Sequence, residues 1–366
     1  MAEQKQKAFL IDLVSPRTSK EQALGRLEEL EELVNTFGGL VIVKQWQKRF
    51  SPHAKTYLGT GKVEQLGQEA KELGATIVII NAQLKPRQIY EINEELRPHG
   101  IVAWDRVDLI LKIFAKHAKT TEARLEIELA SIHHMGPRIF GMGMELSRQG
   151  GGIGGVGVGE TNTERMKRHL KEKERRLKEK LEQYERGRDL QREGRRRKNL
   201  KSVALVGYTN AGKTSLLNAL TGSKEYVADA LFATLDTRIG QLFLPTKRQS
   251  ALVSDTIGFI KELPPELIKA FTSTLSETIE ADLLLHVIDG ADQNVLDHID
   301  VVDDILNRIS ANKIPQILVV NKIDKMSDRV KARLARVLEE KKVVWISVKD
   351  HLGFDELIAQ IENTLG

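Results

Sequence analysis

One stretch, Gly207-Tyr-Thr-Asn-Ala-Gly-Lys-Thr214, constrains the fold more than any other part of the chain. It reads G-x-x-x-x-G-K-T, the phosphate-binding loop that joins a strand to a helix. The apolar run 203–206 before it and the amphipathic run 215–220 after it fit that context, and they argue against a chance glycine turn. Backbone N–H groups and the positive helix end would then face a phosphate. We expect Lys213 to contact the β- and γ-phosphates and the Thr214 hydroxyl to hold Mg²⁺.

Asn321-Lys-Ile-Asp324 follows the apolar run 317–320, at the carboxyl end of a predicted strand. Open α/β sheets bind ligands at that edge. The pattern N-K-x-D resembles the guanine-reading motif of the GTPase superfamily, in which the Asp carboxylate accepts from guanine N1–H and N2–H₂. A lone acid after a strand is often only a helix cap. Because this one comes about a hundred residues after the phosphate-binding loop, the predicted ligands are GTP and GDP.

Two more motifs complete the predicted nucleotide site. Asp255-Thr-Ile-Gly258 resembles D-x-x-G, in which the Asp binds Mg²⁺ through water and the Gly N–H meets the γ-phosphate. Ser347-Val-Lys349 resembles the weaker S-A-K element that lies behind the base, with Val in its middle position. The four motifs stand in the order of a small G protein, so Mg²⁺ is the predicted cofactor.

Composition narrows the class of protein. A length of 366 residues suggests two or three domains. No run approaches ~18 apolar residues, so we expect no membrane span, and the first residues lack the apolar core of a signal peptide. The chain has no cysteine, which excludes disulfides, thiol catalysis and Cys-based zinc sites. These features are typical of a protein of the reducing cytoplasm, and we expect a monomer.

Positive charge is concentrated in one segment. Residues 1–201 hold 38 basic and 28 acidic residues, whereas residues 202–366 hold 18 and 23. Within the first part, residues 161–201 alone contain 17 basic and 8 acidic residues. Charge runs usually form solvated helix faces with ion pairs one turn apart, but the excess argues against full pairing and favours a polyanionic partner.

Residues 1–104 predict a small α/β domain with a parallel sheet. Strands are expected at 40–43, 76–80 and 101–104, and they alternate with helices after Ser19, near 62–73 and at 86–96. Gly59-Thr-Gly-Lys62 resembles a fragment of a phosphate loop. A helix-entry turn is the favoured interpretation, and a second nucleotide site stays open. Surface or packing roles, rather than zinc binding, are expected for four histidines: His117, His133, His134 and His169.

Residues 105–200 predict a basic helical hairpin. The second helix, at about 163–198, carries apolar residues on one seam. The loop 150–160 has seven glycines in eleven residues. No strand precedes it, so a dinucleotide-binding loop is rejected. A flexible linker and a backbone-rich loop that enters a narrow cleft both remain open. Residues 201–366 then form a P-loop G domain with a mostly parallel sheet and helices on both faces.

Several stretches resemble the HflX family of GTPases over about residues 8–360. They include Leu146-Ser-Arg-Gln-Gly-Gly-Gly-Ile-Gly154, Leu231-Phe-Ala-Thr-Leu-Asp236 and Asp255-Thr-Ile-Gly-Phe-Ile260, with Ala281–Asp289 and residues 113–130. The chain departs from the family at three places. It lacks the usual Pro between Asp236 and Thr237, residues 157–160 read G-V-G-E for G-P-G-E, and residues 166–168 read M-K-R for D-R-R. The extra C-terminal domain of some members is not expected.

The resemblance implies a cytoplasmic GTPase that binds the large ribosomal subunit. In its GTP form such a protein dissociates idle or stalled 70S ribosomes, with the Gly-rich loop directed at the peptidyl transferase centre. Thr234 matches the switch I threonine. Phe259 stands where many G proteins place the water-orienting Gln, so slow intrinsic hydrolysis and stimulation by ribosomes are expected. Two other hypotheses stay open. One is a GTP-switched ribosome- or RNA-binding regulator that docks without splitting subunits, and the other is an RNA-remodelling enzyme with a second nucleotide site.

The predicted site residues form four groups. The catalytic group is Lys213, Thr234 and Gly258. The GTP-binding group is Gly207, Tyr208, Thr209, Asn210, Ala211, Gly212, Lys213, Thr214, Ser215, Phe232, Ala233, Thr234, Asp255, Thr256, Ile257, Gly258, Asn321, Lys322, Asp324, Ser347, Val348 and Lys349. The metal group is Thr214, Thr234 and, through water, Asp255. The RNA-binding group is Arg148, Gln149, Gly150, Gly151, Gly152, Arg195, Arg196, Arg197 and Lys198.

Overall fold

The computed structural model of the chain describes residues 5–149, 162–197, 200–223, 231–232, 237–264, 267–268 and 272–366. The chain divides into two compact units. The first comprises Met1–Lys116 and Arg124–Leu181, and the second comprises His117–Ala123 and Glu182–Gly366. Each unit contains one sheet, and both sheets combine with helices, which confirms the predicted α/β class.

The sheet of the first unit has four parallel strands in the order β2-β1-β3-β4. The strands are β1 (Lys7–Val14), β2 (Leu40–Lys48), β3 (Ile77–Ile80) and β4 (Val102–Asp105). The sequence predicted the last three and missed β1, although β1 lies in the interior of the sheet. β1 is a nearly continuous buried run, as expected for an interior parallel strand.

Helices cover both faces of this sheet. They are α1 (Lys20–Phe37), α2 (Thr60–Glu72), α3 (Pro86–Leu96) and α4 (Arg106–His117). Side chains of α2 and α3 pack on Phe9 and Ile11 of β1 in one apolar cluster. Asp12, on the opposite face of β1, contacts Arg26 of α1 at 2.7 Å. As predicted, Ser19 caps α1, where its side chain accepts from the Gln22 N–H in a capping box.

Two long helices continue the chain, as predicted for the hairpin. They are α5 (Thr121–Gln149) and α6 (Asn162–Arg197). Within the first unit, Glu128 of α5 pairs with Lys173 of α6 at 2.6 Å, and His133 contacts Glu174 at 3.0 Å. Leu177, on the predicted apolar seam, is buried. The Gly-rich loop 150–160 lies outside the described residues.

A buried cluster of charged groups joins α5 to the end of β4. The Arg138 guanidinium contacts Asp105 at 2.5 Å and Asp108 at 2.7 Å. His134 Nε2, one turn earlier on α5, lies 3.2–3.3 Å from the same two carboxylates. Burial disfavours ionisation of Asp108, but hydrogen bonds from His134 and Arg138 outweigh it and lower the pKa of Asp108 to about 2. Asp105, Asp108 and His134 lie close enough to hold a metal, yet the Arg138 guanidinium already pairs with both carboxylates.

The sheet of the second unit has six strands in the order β10-β9-β8-β5-β7-β6. Five are parallel, and the edge strand β6 runs antiparallel to β7. The strands are β5 (Lys201–Val206), β6 (Arg238–Leu244), β7 (Gln249–Asp255), β8 (Leu283–Asp289), β9 (Gln316–Asn321) and β10 (Val343–Trp345).

Helices lie on both faces of this sheet, as predicted. They are α7 (Lys213–Thr221), α8 (Thr272–Ile279), α9 (Val295–Arg308), α10 (Asp328–Val337) and α11 (Phe354–Thr364). Apolar residues of α7 and α11 pack with alternate residues of β5, β8 and β9. On the other face, Ile288 of β8 and Leu318 and Val320 of β9 pack with α9 and α10 in a second cluster. The carboxyl ends of β5, β7, β8 and β9 therefore meet at one edge. Among the described helices, none combines the length and apolarity that a membrane crossing requires.

Candidate nucleotide-binding site

The phosphate-binding loop connects β5 to α7, as predicted from its flanks. Two of its glycines have positive φ, +153° at Gly207 and +97° at Gly212, which other residues adopt with strain. A Cβ on Gly207 would lie 2.2 Å from the Val287 carbonyl oxygen, and one on Gly212 would lie 2.3 Å from the Asn321 amide nitrogen. The loop therefore packs directly on the ends of β8 and β9, and only glycine fits at these two positions.

Lys213, the first residue of α7, has its ammonium inside this loop. Nζ donates to the carbonyl oxygens of Gly207 at 3.0 Å and Tyr208 at 2.8 Å. Burial lowers the pKa of Lys213 to about 8, although the Asp255 carboxylate favours the charged form. A buried ammonium beside backbone N–H groups is suited to neutralise phosphate charge.

The two described residues of the predicted magnesium group lie together. Thr214 follows Lys213 on α7, and Asp255 is the last residue of β7. The Thr214 hydroxyl donates to Asp255 Oδ2 at 2.7 Å, and Asp255 is fully buried. A hydroxyl and a carboxylate are oxygen ligands of the kind that Mg²⁺ prefers, so this donor set fits the ion. Thr234, the third residue of the group, lies outside the described residues.

The D-x-x-G segment is paired with the phosphate-binding loop through its backbone. Phe259 N–H donates to the Gly207 carbonyl at 3.1 Å, and Thr209 N–H donates to the Phe259 carbonyl at 2.8 Å. Gly258 has no room for a side chain, since its Cβ would lie 2.8 Å from Thr209 Cγ2 and 3.0 Å from Lys213 Nζ. These short distances show that Gly258 lies directly against Thr209 and Lys213.

The predicted guanine motif also contacts the phosphate-binding loop. Asn321, at the end of β9, donates through its amide to the Ala211 carbonyl at 3.0 Å. The Lys322 ammonium donates to the Asn210 carbonyl at 2.9 Å and to Asp289 at 2.7 Å. Asp289 was not among the predicted site residues, although it ends an apolar strand at the same edge as the other motifs.

The S-x-K element contacts the carboxylate of the predicted guanine motif. The Ser347 hydroxyl donates to Asp324 Oδ1 at 2.8 Å, and Asp324 itself is exposed. The Val348 N–H donates to Asn321 Oδ1 at 3.2 Å. Because this contact uses the backbone, Val in the middle position of the element does not disturb it. Lys349 is exposed.

An aromatic stack connects the phosphate-binding loop to α9. The rings of Tyr208 and His298 lie 3.7 Å apart at 7°, and the Tyr208 hydroxyl accepts from the Lys261 N–H at 2.9 Å. Lys261 in turn pairs with Asp297 of α9 at 3.1 Å. Sequence reasoning missed this contact because nothing in the spacing of residues 208 and 298 indicates it.

The remaining predicted GTP-binding residues occupy several positions. Ser215 lies in the first turn of α7. Thr256 and Ile257 are buried, and the Thr256 hydroxyl donates to the Leu205 carbonyl at 2.7 Å. Phe232 is buried with a φ of +56°. Ala233, like Thr234, lies outside the described residues.

The predicted RNA-binding residues are only partly described. Arg148 and Gln149 end α5, and Arg195, Arg196 and Arg197 end α6. Of these five, only the Arg197 side chain is described. It is exposed and pairs with Glu193 at 3.3 Å. Gly150, Gly151, Gly152 and Lys198 lie outside the described residues.

Much of the charge on α6 is paired within the helix. Arg175 contacts Glu172 and Glu179, and Arg176 contacts Glu172 at 2.9 Å. Exposed pairs of this kind contribute little to stability. The described part of α6 therefore behaves largely as a solvated charged helix.

Three family models match successive parts of the chain. A model described as GTP-binding GTPase N-terminal matches residues 25–115, and one described as GTP-binding GTPase Middle Region matches residues 117–195. A model described as 50S ribosome-binding GTPase matches residues 202–322.

Similar proteins extend over nearly the whole chain. GTPase HflX of Caldanaerobacter subterraneus subsp. tengcongensis is 41% identical over 367 residues, which cover 100% of this chain and 82% of that protein. GTPase HflX of Escherichia coli is 38% identical over 348 residues, which cover 95% of this chain and 80% of that protein. The crystal structure of the SsGBP and GDP complex is 28% identical, covers 98% of both chains and has a TM-score of 0.54. The chain is thus a GTPase, which hydrolyses GTP to GDP and phosphate, and it belongs to the HflX family.

Proposed function

We propose that this GTPase binds the large ribosomal subunit and, in its GTP form, dissociates idle or stalled 70S ribosomes. The observation that carries the proposal is the match of residues 202–322 to the 50S ribosome-binding GTPase model. Those residues contain the phosphate-binding loop, the Thr214–Asp255 pair and Asn321, which lie together at one sheet edge. The proposed function requires a conformational change that depends on GTP, and we propose that this change begins at this edge of the sheet.

In the proposed site, each motif has a separate task. The Lys213 ammonium neutralises charge on the β- and γ-phosphates, and the Gly258 N–H meets the γ-phosphate. Thr214, Asp255 through water, and Thr234 hold Mg²⁺, which supplies further charge neutralisation when bound. The remaining residues of the predicted GTP-binding group surround the nucleotide. Asp324 accepts from the guanine N1–H and N2–H₂ groups while Ser347 fixes its carboxylate at 2.8 Å.

The basic hairpin is the proposed RNA-binding region. Its residues 161–201 have nine more basic than acidic residues, and contacts between cations and phosphates release counterions and weaken with salt. We propose Arg148–Gly152 and Arg195–Lys198 as RNA contacts, with the Gly-rich loop 150–160 reaching into the ribosome. Structured RNA is recognised largely by shape and backbone, which is consistent with an aromatic content of only 5%.

We propose that the chain is organised in three domains. Residues 1–104 form an N-terminal α/β domain, residues 105–200 the hairpin, and residues 201–366 the G domain. The matches of three separate family models to residues 25–115, 117–195 and 202–322 support this division. We further propose that the protein acts in the cytoplasm, because ribosomes are in that compartment. We also propose that it acts as a monomer.

Sedimentation of purified 70S ribosomes tests the splitting activity directly. Protein with GTP, or with a non-hydrolysable GTP analogue, is expected to convert 70S particles to 30S and 50S subunits, whereas protein with GDP is not. Lys213→Ala serves as the control, because it removes the phosphate-binding ammonium. Co-sedimentation with intact 70S particles would contradict splitting and would support a regulator that docks without separating the subunits.

A further inference from the structure

Phe259 cannot orient the hydrolytic water in this protein. It directly follows Gly258, and its side chain is fully buried. Its backbone N–H and carbonyl both bond to the phosphate-binding loop, at 3.1 and 2.8 Å. A phenyl ring offers no hydrogen-bonding atom, and the backbone groups of Phe259 are already committed. Another group must therefore perform that task.

Thr209 lies beside Gly258 and carries an unused hydroxyl. Thr209 is only 6% exposed, and its Oγ1 is buried without a hydrogen-bond partner in the part of the chain that the structure describes. Buried polar atoms are nearly always bonded, and an exception calls for an explanation such as a catalytic role. The position fits that explanation, because Thr209 belongs to the phosphate-binding loop itself.

The surroundings of Thr209 place it on the γ-phosphate side of the loop. A Cβ built on Gly258 would lie 2.8 Å from Thr209 Cγ2, 2.9 Å from Thr209 Cα and 3.0 Å from Lys213 Nζ. In the proposed nucleotide pose, the Gly258 N–H and the Lys213 ammonium both contact the γ-phosphate. Thr209 is therefore next to the two groups that define where that phosphate lies.

The backbone of Thr209 is also held in place. Its N–H donates to the Phe259 carbonyl at 2.8 Å, and the next residue, Asn210, has a φ of +62° and receives the Lys322 ammonium at 2.9 Å. A side chain on such a fixed backbone loses little freedom when it engages a transition state, and preorganised groups of this kind are effective in catalysis.

We propose that Thr209 is a catalytic residue whose hydroxyl accepts a hydrogen bond from the attacking water and donates one to a γ-phosphate oxygen. The inference rests on the proposed function, because it uses the proposed pose of GTP. The water oxygen bonds to the γ-phosphorus, and the bond from that phosphorus to the bridging oxygen breaks. The electron pair leaves with GDP, the water proton goes to the released phosphate, and Thr209 is unchanged.

Two substitutions separate the hydroxyl from the shape of Thr209. Thr209→Val keeps the branched side chain and removes the hydroxyl, whereas Thr209→Ser keeps the hydroxyl. We expect Thr209→Val to slow single-turnover GTP hydrolysis about 10- to 100-fold, in line with loss of one transition-state hydrogen bond. We expect its affinity for GDP to stay within about twofold and its binding of GDP with aluminium fluoride to weaken. Thr209→Ser should stay within about threefold of the unmodified protein in hydrolysis.

Thr278→Val is a matched control, because Thr278 of α8 is also fully buried with an unpartnered Oγ1 among the described residues. It should leave hydrolysis unchanged and show what the same chemical change does to thermal stability. The proposal is overturned if Thr209→Val hydrolyses GTP at the normal rate, if Thr209→Ser is as slow as Thr209→Val, or if GDP affinity falls as much as hydrolysis. These assays use isolated protein, so a failure of ribosome binding or splitting would be a separate result.

Discussion

At the scale of single residues, the Lys213 ammonium is unusual because it is charged and nearly inaccessible. It lies inside the phosphate-binding loop, where it bonds to two carbonyl groups, and burial lowers its pKa to about 8. A bound triphosphate would stabilise the charged form and raise this pKa. Nucleotide binding and protonation of Lys213 are therefore linked, and each favours the other.

Nucleotide binding is expected to take up protons at alkaline pH. Near pH 7 the lysine is already protonated, so uptake should be close to zero. Above about pH 8 the free protein loses the proton and the complex regains it, so affinity should fall as pH rises. Titration calorimetry with GDP at pH 7 and pH 9, in buffers of different ionisation enthalpy, measures the uptake. Equal uptake at both pH values would contradict the assignment of Lys213 to the phosphate site.

Asp324→Asn should weaken the preference for guanine over adenine nucleotides. The substitution replaces a carboxylate that can accept from two guanine donors, and hydrogen bonds to charged groups correspond to roughly 10- to 100-fold in affinity. Competition between GDP and ADP measures the preference. Asp350→Asn is a matched control, since Asp350 also lies near the Ser347 hydroxyl, at 3.3 Å, without belonging to the motif. An unchanged ratio in Asp324→Asn would remove the residue from base recognition.

The motif residues could be predicted from the sequence because each motif is local and follows a strand. The structure brings together the described members of the four motifs through short contacts such as Asn321 to Ala211 and Ser347 to Asp324. The Tyr208–His298 stack and the Asp289–Lys322 pair could not be predicted. Both depend on which strands and helices are neighbours, and this information is absent from the spacing along the chain.

At the scale of elements, a buried cluster of charged groups joins β4, α4 and α5. Arg138 pairs with both Asp105 and Asp108, and all three side chains are nearly inaccessible. Sequence patterns predicted the helix but not its anchor, because the partners are about 30 residues apart. The missed strand β1 has a similar cause. Its apolar run contains Asp12, whose partners Arg26 and Asn81 become neighbours only in the folded unit.

Arg138→Met should destabilise the first unit strongly. It leaves two buried carboxylates without their guanidinium, and breaking such a pair costs about 3–5 kcal/mol. Lys173→Met is the control, because its pair with Glu128 is about 40% exposed on both sides and such pairs contribute at most about 1 kcal/mol. Urea unfolding followed by the fluorescence of Trp46 and Trp104, both in the first unit, measures the difference. Equal shifts in the two variants would show that the cluster is not the anchor.

At the scale of the whole molecule, charge and nucleotide chemistry occupy different parts of the chain. Residues 202–366, which contain all four nucleotide motifs, hold more acidic than basic residues, whereas residues 161–201 have an excess of nine basic residues. An RNA partner is therefore expected to contact the hairpin, while the G domain supplies the switch. Ionic contacts between the hairpin and RNA phosphates would make the association sensitive to ionic strength.

GTP turnover by the purified protein, with and without large ribosomal subunits and at two salt concentrations, tests the central claim most directly. Slow turnover alone, strong stimulation by the subunits and loss of that stimulation at the higher salt concentration are the predicted results. The isolated rate should change little with salt, because the Lys213 ammonium is buried and salt screens buried charges much less than exposed ones. Turnover that is unaffected by the subunits at either salt concentration would contradict a ribosome-activated GTPase, even if nucleotide binding were intact.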